Sequence, residues 1–184
     1  AGRLNYPGQV IGCDYSNARS IAKDVEVFLF VGGGQFHAIG VALSTSKPTI
    51  VADPYESRAY SVDREAKRII KQRWANIEEA KKAKNFSVLV GLKPGQKRIE
   101  EALDVKQKLE ESGKMVCLLA AKEITPEALM DFPSLDAYVN TACPRISLDD
   151  ASRFVKPVLT INEALVVVGE LSWEELCRKG LFEN

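Results

Sequence analysis

Apolar runs of 4 to 8 residues alternate with segments of helical period along most of the chain, which predicts a parallel sheet with crossover helices and an α/β fold. "DVEVFLFV" (24–31) reads as a buried strand, "QFHAIGVALSTS" (35–46) as a helix and "KPTIVAD" (47–53) as the next strand, with "AYSV" (59–62) a short further one. From Asp63, placed as an N-cap, Ala66, Ile69, Ile70, Trp74, Ile77 and Ala80 recur at helical spacing along a charged helix ending near residue 84. The same grammar then restarts. "FSVLVG" (86–91) is a strand, 97–112 a helix, "KMVCLLA" (114–120) a strand, Thr125 to Met130 a short helix and "LDAYV" (135–139) a strand, and "SWEELCRKG" (172–180) closes the chain as a helix. The long helix is the joint, so the division is 1–84 and 85–184, two small parallel-sheet βαβ domains of similar type.

Composition changes this picture little. With 184 residues and 46% hydrophobic content the chain can bury a core, as one large domain or two small ones. Lys+Arg and Asp+Glu both number 25, so no overall field draws nucleic acid or an anionic membrane, and neither is expected as a direct partner. No apolar stretch nears the roughly 18 residues that span a bilayer, and "AGRLNYPGQ" has neither a basic nor an apolar leader segment, which predicts a cytoplasmic protein. The first residue is Ala rather than Met, so the start of the chain is not expected to be the natural one.

In open α/β sheets ligands bind beyond the carboxyl ends of the strands, which directs attention to "GCDYS" (12–16), "GGGQFH" (32–37), "GLKPGQ" (91–96) and "NTACPR" (140–145). Gly32, Gly33 and Gly34 can turn backbone N–H groups toward an anion at a helix N-terminus, or serve only as a strand-to-helix turn. They lack the G-x-G-x-x-G spacing of a dinucleotide fingerprint and the Lys-Ser or Lys-Thr of a Walker loop. "GLKPGQ", with Lys93 and Gly95, carries the same two readings. His37 is the sole histidine and is either a packed helix-start residue or a site residue, and its isolation argues against histidine-rich metal catalysis.

Four cysteines spread over this length are expected to be reduced thiols rather than a disulfide framework. Cys117 and Cys177 sit in apolar surroundings and are expected to behave as small core groups. Cys13 and Cys143 each follow a strand exit. Pro144 restricts Cys143 to extended geometry and directs the thiol outward, while Arg145 brings a permanent charge that favours a thiolate or binds a carboxylate.

"PGQVIGCDYS", "LFVGGGQFHAIGVAL", "VADPY", "VGLKPGQ" and "DAYVNTACPRISLDD", in this order from about Tyr6 to Glu170, closely resemble the archaeal diphthamide synthase subunits, the 2-(3-amino-3-carboxypropyl)histidine synthases. The resemblance implies a non-classical radical transferase. It moves the 3-amino-3-carboxypropyl group of S-adenosylmethionine to a histidine of translation elongation factor 2, the first step of diphthamide biosynthesis. It also implies a homodimer and a [4Fe-4S] cluster held by three cysteines, one from each of three similar α/β domains. Cys13 and Cys143 match the second and third, so the chain reads as the second and third domains with the N-terminal domain absent, and as inactive by itself. Candidates for the S-adenosylmethionine contacts are Gly33, Gly34, Gln35, His37, Gly95 and Arg145, the last as partner for its carboxylate or for the cluster charge, with no residue assigned to catalysis. One departure is local: family members often carry Arg where this chain has Gln35. Two other readings remain open on the residues alone, a non-catalytic zinc module using Cys13, Cys143 and His37, and a metal-free α/β scaffold.

Overall fold

The computed structural model describes residues 4–148 and 151–181; Asp149 and Asp150, the acidic end of the Cys-Pro-Arg segment, lie outside the described residues. The chain forms two compact units, one running up to Lys71 and taking in the tail from Glu174, the other comprising Gln72–Trp173. The long helix α3 (Asp63–Lys82) begins in the first and ends in the second. This division falls inside α3 rather than after residue 84, because Arg73 is bonded into the second unit and the C-terminal tail returns to the first.

In the first unit β1 (Phe28–Val31), β2 (Thr49–Asp53) and β3 (Arg58–Ser61) lie side by side in that order. β1 and β2 are parallel, whereas β3 folds back antiparallel on the edge, since only four residues separate it from β2 and so short a link cannot make a crossover. The predicted strand over 24–31 is ordered as strand only from Phe28, whose N–H donates to Pro48 O at 2.9 Å. A helix not foreseen in the sequence, α1 (Ser16–Ile21), and α2 (Phe36–Thr45) complete the unit. Residues Ala38 through Ser44 of α2 are all buried. Gly40 makes this packing feasible: a Cβ there would sit 2.0 Å from the Tyr15 hydroxyl. The tail helix α8 (Trp173–Lys179) ends at Gly180, whose φ of +97° and close approach to Ser44 O (2.7 Å from a built Cβ) both exclude a side chain. Leu181 N–H then donates to Leu43 O.

The second unit is a four-stranded parallel sheet in the order β5–β4–β6–β7, built from β4 (Asn85–Gly91), β5 (Met115–Ala121), β6 (Ala137–Asn140) and β7 (Val158–Leu159). β4 is central and buried from Phe86 to Gly91, as its unbroken apolar run predicts. Leu89, Leu129, Leu135, Tyr138 and Val158 form one core cluster. Helices α4 (Ile99–Glu111) and α5 (Pro126–Met130) match the sequence pattern, the latter capped by Thr125, whose hydroxyl accepts the Ala128 N–H. Two further helices were not legible beforehand: α6 (Pro144–Leu148), and α7 (Ile161–Val168), which opens on a capping box of Thr160 and Glu163.

Cys117 departs from its expected core role. It is exposed on β5, an edge strand that also exposes Met115 and Leu118, because an apolar run does not reveal whether a strand is central or on the edge. Cys177 is half-buried, with its thiol pushed up by burial and then by Glu174. Among the described residues no helix is long and apolar enough to cross a membrane.

Candidate functional site

Five of the predicted site residues collect at the carboxyl end of β1 in the first unit. Residues 11–14 form a tight turn in which Ile11 N–H donates to Asp14 O (3.2 Å) and Asp14 N–H to Ile11 O (3.0 Å), with Cys13 near its tip. Asp14 Oδ1 accepts the Ser16 N–H at 2.9 Å and so starts α1 directly behind the turn. Gly12 lies against Phe36, the first residue of α2; a Cβ there would come within 2.8 Å of the ring. His37 follows, half-buried, stacked on Phe30 (centroids 5.9 Å, 18°) and edge-on to Phe36 (5.4 Å, 74°). The sole histidine is thus packed between two aromatic rings at the strand exit.

Gly33, Gly34 and Gln35 are exposed, and Gln35 caps α2 through its backbone, its carbonyl accepting the Ile39 N–H. Gly34, at φ +74°, donates its N–H to Asp53 Oδ2 at 3.2 Å, while Asp53 Oδ1 accepts Tyr55 N–H (2.9 Å) and Glu56 N–H (3.2 Å). Asp53, at the end of β2, therefore ties the glycine loop to the neighbouring strand exit. Burial raises its carboxyl, but the three N–H donors and the Arg58 charge outweigh that and hold it below the ordinary carboxylate range. The Gly34 N–H, which the sequence leaves available to an anion, already faces a carboxylate of the chain itself. Sequence reasoning missed Asp53; the signal was its place at a strand exit, in "VADPY".

The remaining three residues lie at the carboxyl end of the second sheet. Lys93 to Gln96 is a turn with Pro94 and then Gly95 (φ +76°) at its centre, closed by Gln96 N–H to Lys93 O at 3.0 Å. The exits of β4 and β6 meet: a Cβ on Gly91 would lie 2.8 Å from that of Ala142 and 3.1 Å from that of Gln96. Thr141 secures the contact through N–H and hydroxyl bonds to Leu89 O (3.1 and 2.9 Å).

Cys143 is half-buried and immediately precedes α6, with Pro144 as the first helical residue, where its missing N–H costs nothing. Arg145 is exposed on the same short helix. Beneath it runs a buried polar network. Asn140 Nδ2 donates to Cys143 O (2.8 Å) and Ser147 Oγ (3.0 Å), and Asn140 Oδ1 accepts the Ala142 N–H (3.0 Å). Arg73, fully buried, donates to Ser147 O (2.5 Å), to Val158 O (2.7 Å) and to both Glu163 oxygens (2.7 and 2.5 Å). Glu163 in turn accepts the Thr160 N–H at 2.8 Å.

Cys13 and Cys143 therefore belong to different units, and the four cysteines form no disulfide. Among the described residues no group of three His, Cys, Asp or Glu is placed to hold a metal ion.

A family model described as "Putative diphthamide synthesis protein" matches residues 1–177. The chain is 40% identical over 167 residues to 2-(3-amino-3-carboxypropyl)histidine synthase of Pyrococcus horikoshii, covering 91% of this chain and 47% of that protein. It is 31% identical to the human 2-(3-amino-3-carboxypropyl)histidine synthase subunit 1, covering 92% of this chain and 38% of the relative. The crystal structure of Dph2 from Pyrococcus horikoshii with a 4Fe-4S cluster superposes with a TM-score of 0.81 at 38% identity, over 92% of this chain and 48% of that one. The chain thus spans about half the length, or less, of the relatives it matches.

Proposed function

The chain belongs to the diphthamide synthesis protein family, and from that premise we propose that it is the part of a 2-(3-amino-3-carboxypropyl)histidine synthase that supplies two of three cluster thiolates, Cys13 and Cys143. The observation that carries this reading is the place of the two thiols. Each sits in a tight turn at the carboxyl end of its own sheet, and a 38% identical relative of the same fold was solved with a 4Fe-4S cluster. We assign the third thiolate to a part of the relatives that this chain does not cover, since it spans 47% of the Pyrococcus horikoshii protein. A [4Fe-4S] cluster, when bound, supplies the electron that cleaves S-adenosylmethionine.

Around that centre Gly33, Gly34, Gln35 and His37 in one unit, and Gly95 and Arg145 in the other, are the residues we assign to S-adenosylmethionine. Arg145 is the partner for its carboxylate, by a charge-assisted bond. The acceptor is a histidine of translation elongation factor 2, the working form a cytoplasmic homodimer. Asp53 takes the Gly34 N–H and holds the glycine loop in shape, so the loop serves the cofactor through groups other than that N–H.

Iron, acid-labile sulfide and zinc in anaerobically purified protein test the reading, in the 184-residue chain and in a form joined to the remaining part of the Pyrococcus horikoshii relative. The expected result is iron and sulfide at cubane stoichiometry in the joined form, lost on Cys13→Ala or Cys143→Ala, and little of either in the chain alone. Zinc in place of iron, or metal content indifferent to both cysteines, overturns it.

A further inference from the structure

We infer that Asn140 is the positioning residue for Cys143, an inference that rests on Cys143 being a cluster ligand. Asn140 is the last residue of β6, 5% exposed, and its amide is fully used. The Oδ1 faces an N–H and the Nδ2 faces two oxygens, so only one orientation satisfies the site. These bonds clamp the turn on both sides of the cysteine: Ala142 before it, the carbonyl of Cys143 itself, and Ser147 one helical turn on.

The Cys143 carbonyl is also the acceptor of the first α6 bond, from Ile146 N–H at 3.1 Å. Asn140 thereby fixes the peptide plane from which the thiol projects. Ser147, 0% exposed, passes the restraint on through its hydroxyl to Leu159 O (3.3 Å) and through its carbonyl to Arg73. A thiolate that must meet an iron has to be held to within about half an ångström, and such precision comes from residues that are themselves locked by buried bonds.

Asn140→Ala and Asn140→Asp, compared by amide hydrogen exchange and by the Cα and Cβ shifts of Cys143 in the full 184-residue chain, test this. Asn140→Ala is expected to lower protection about tenfold at Ala142 and Ile146, which corresponds to about 1.4 kcal/mol of local stability. It also moves the Cys143 shifts. Asn140→Asp keeps an acceptor for Ala142 and lacks the donor to Cys143, so Ala142 stays protected while Ile146 does not. Amides of β4 are unchanged in both. Unchanged Ile146 protection and Cys143 shifts in Asn140→Ala overturn the inference, and so does an equal loss across β4 in both variants, which makes Asn140 a residue of the fold at large. Neither readout involves metal, so a failed cluster assignment and a failed positioning role are told apart.

Discussion

The two cysteine turns are built by different physics. The Cys13 turn is a short backbone hairpin resting on Phe36, with Asp14 closing it into α1. The Cys143 turn stands on buried polar side chains drawn from α3, β6, α6 and α7. Backbone pairs near solvent are worth little net and forgive small displacements, whereas a buried polar network is stable only while every member is satisfied. The Cys143 turn thus depends on every member of that network staying in place.

Removing one member of the network is the harshest way to test that contrast. Arg73→Ala leaves Glu163 buried without its charge partner and frees the Ser147 and Val158 carbonyls, for an expected loss of about 3–5 kcal/mol in urea unfolding. Replacing Arg73 and Glu163 together by apolar residues of similar size recovers much of it. If Arg73→Ala costs no more than a surface substitution, the network is not what supports the Cys143 turn.

The two close glycines give a paired, milder comparison. Gly91→Ala forces a Cβ to 2.8 Å from that of Ala142 and 3.3 Å from Gln96 O, neither of which can swing away, so about 1–3 kcal/mol is expected, partly restored by Ala142→Gly. Gly12→Ala also meets a contact at 2.8 Å, but with the edge of the Phe36 ring, which can rotate aside; less than about 1 kcal/mol is expected. Thermal melts of the three variants check the order. Equal costs at the two sites would erase the difference between a rigid and a yielding turn.

The smallest effect is a pH dependence confined to the first unit. The Asp53 carboxyl is held low in the folded state, so the stability it gives is fully present above the unfolded value near 3.9 and is lost as pH falls through the lowered folded value. The Gly34 amide shift, followed by NMR, should therefore stay constant from neutral pH to below the ordinary carboxylate range and move only in stronger acid. A midpoint at or above the ordinary value removes Asp53 from the loop.

The amino-acid pattern by itself determined the α/β class, the positions of β2, β4, α3 and α4 within a few residues, and the four strand exits where candidate chemistry gathers. Those features depend on local periodicity and on glycine and proline, which act over a few residues. Motifs in order along the chain were enough for the family. What only the tertiary structure decided was which residues support the site. α6 and α7 are too short, at 5 and 8 residues, for periodicity to announce them, and they exist because Pro144 and the Thr160–Glu163 box start them where Arg73 can bond to both. Arg73 reads in the sequence as one more charge on a solvated helix; 90 positions separate it from the Glu163 that buries it. Asp53 likewise looks like an ordinary strand-end polar residue until the neighbouring exit is brought beside it, and Asn140 until the chain turns back over it into α6. The sequence names groups and their order, but a hydrogen bond between distant positions is a fact of packing, and packing exists only once the sheets are assembled.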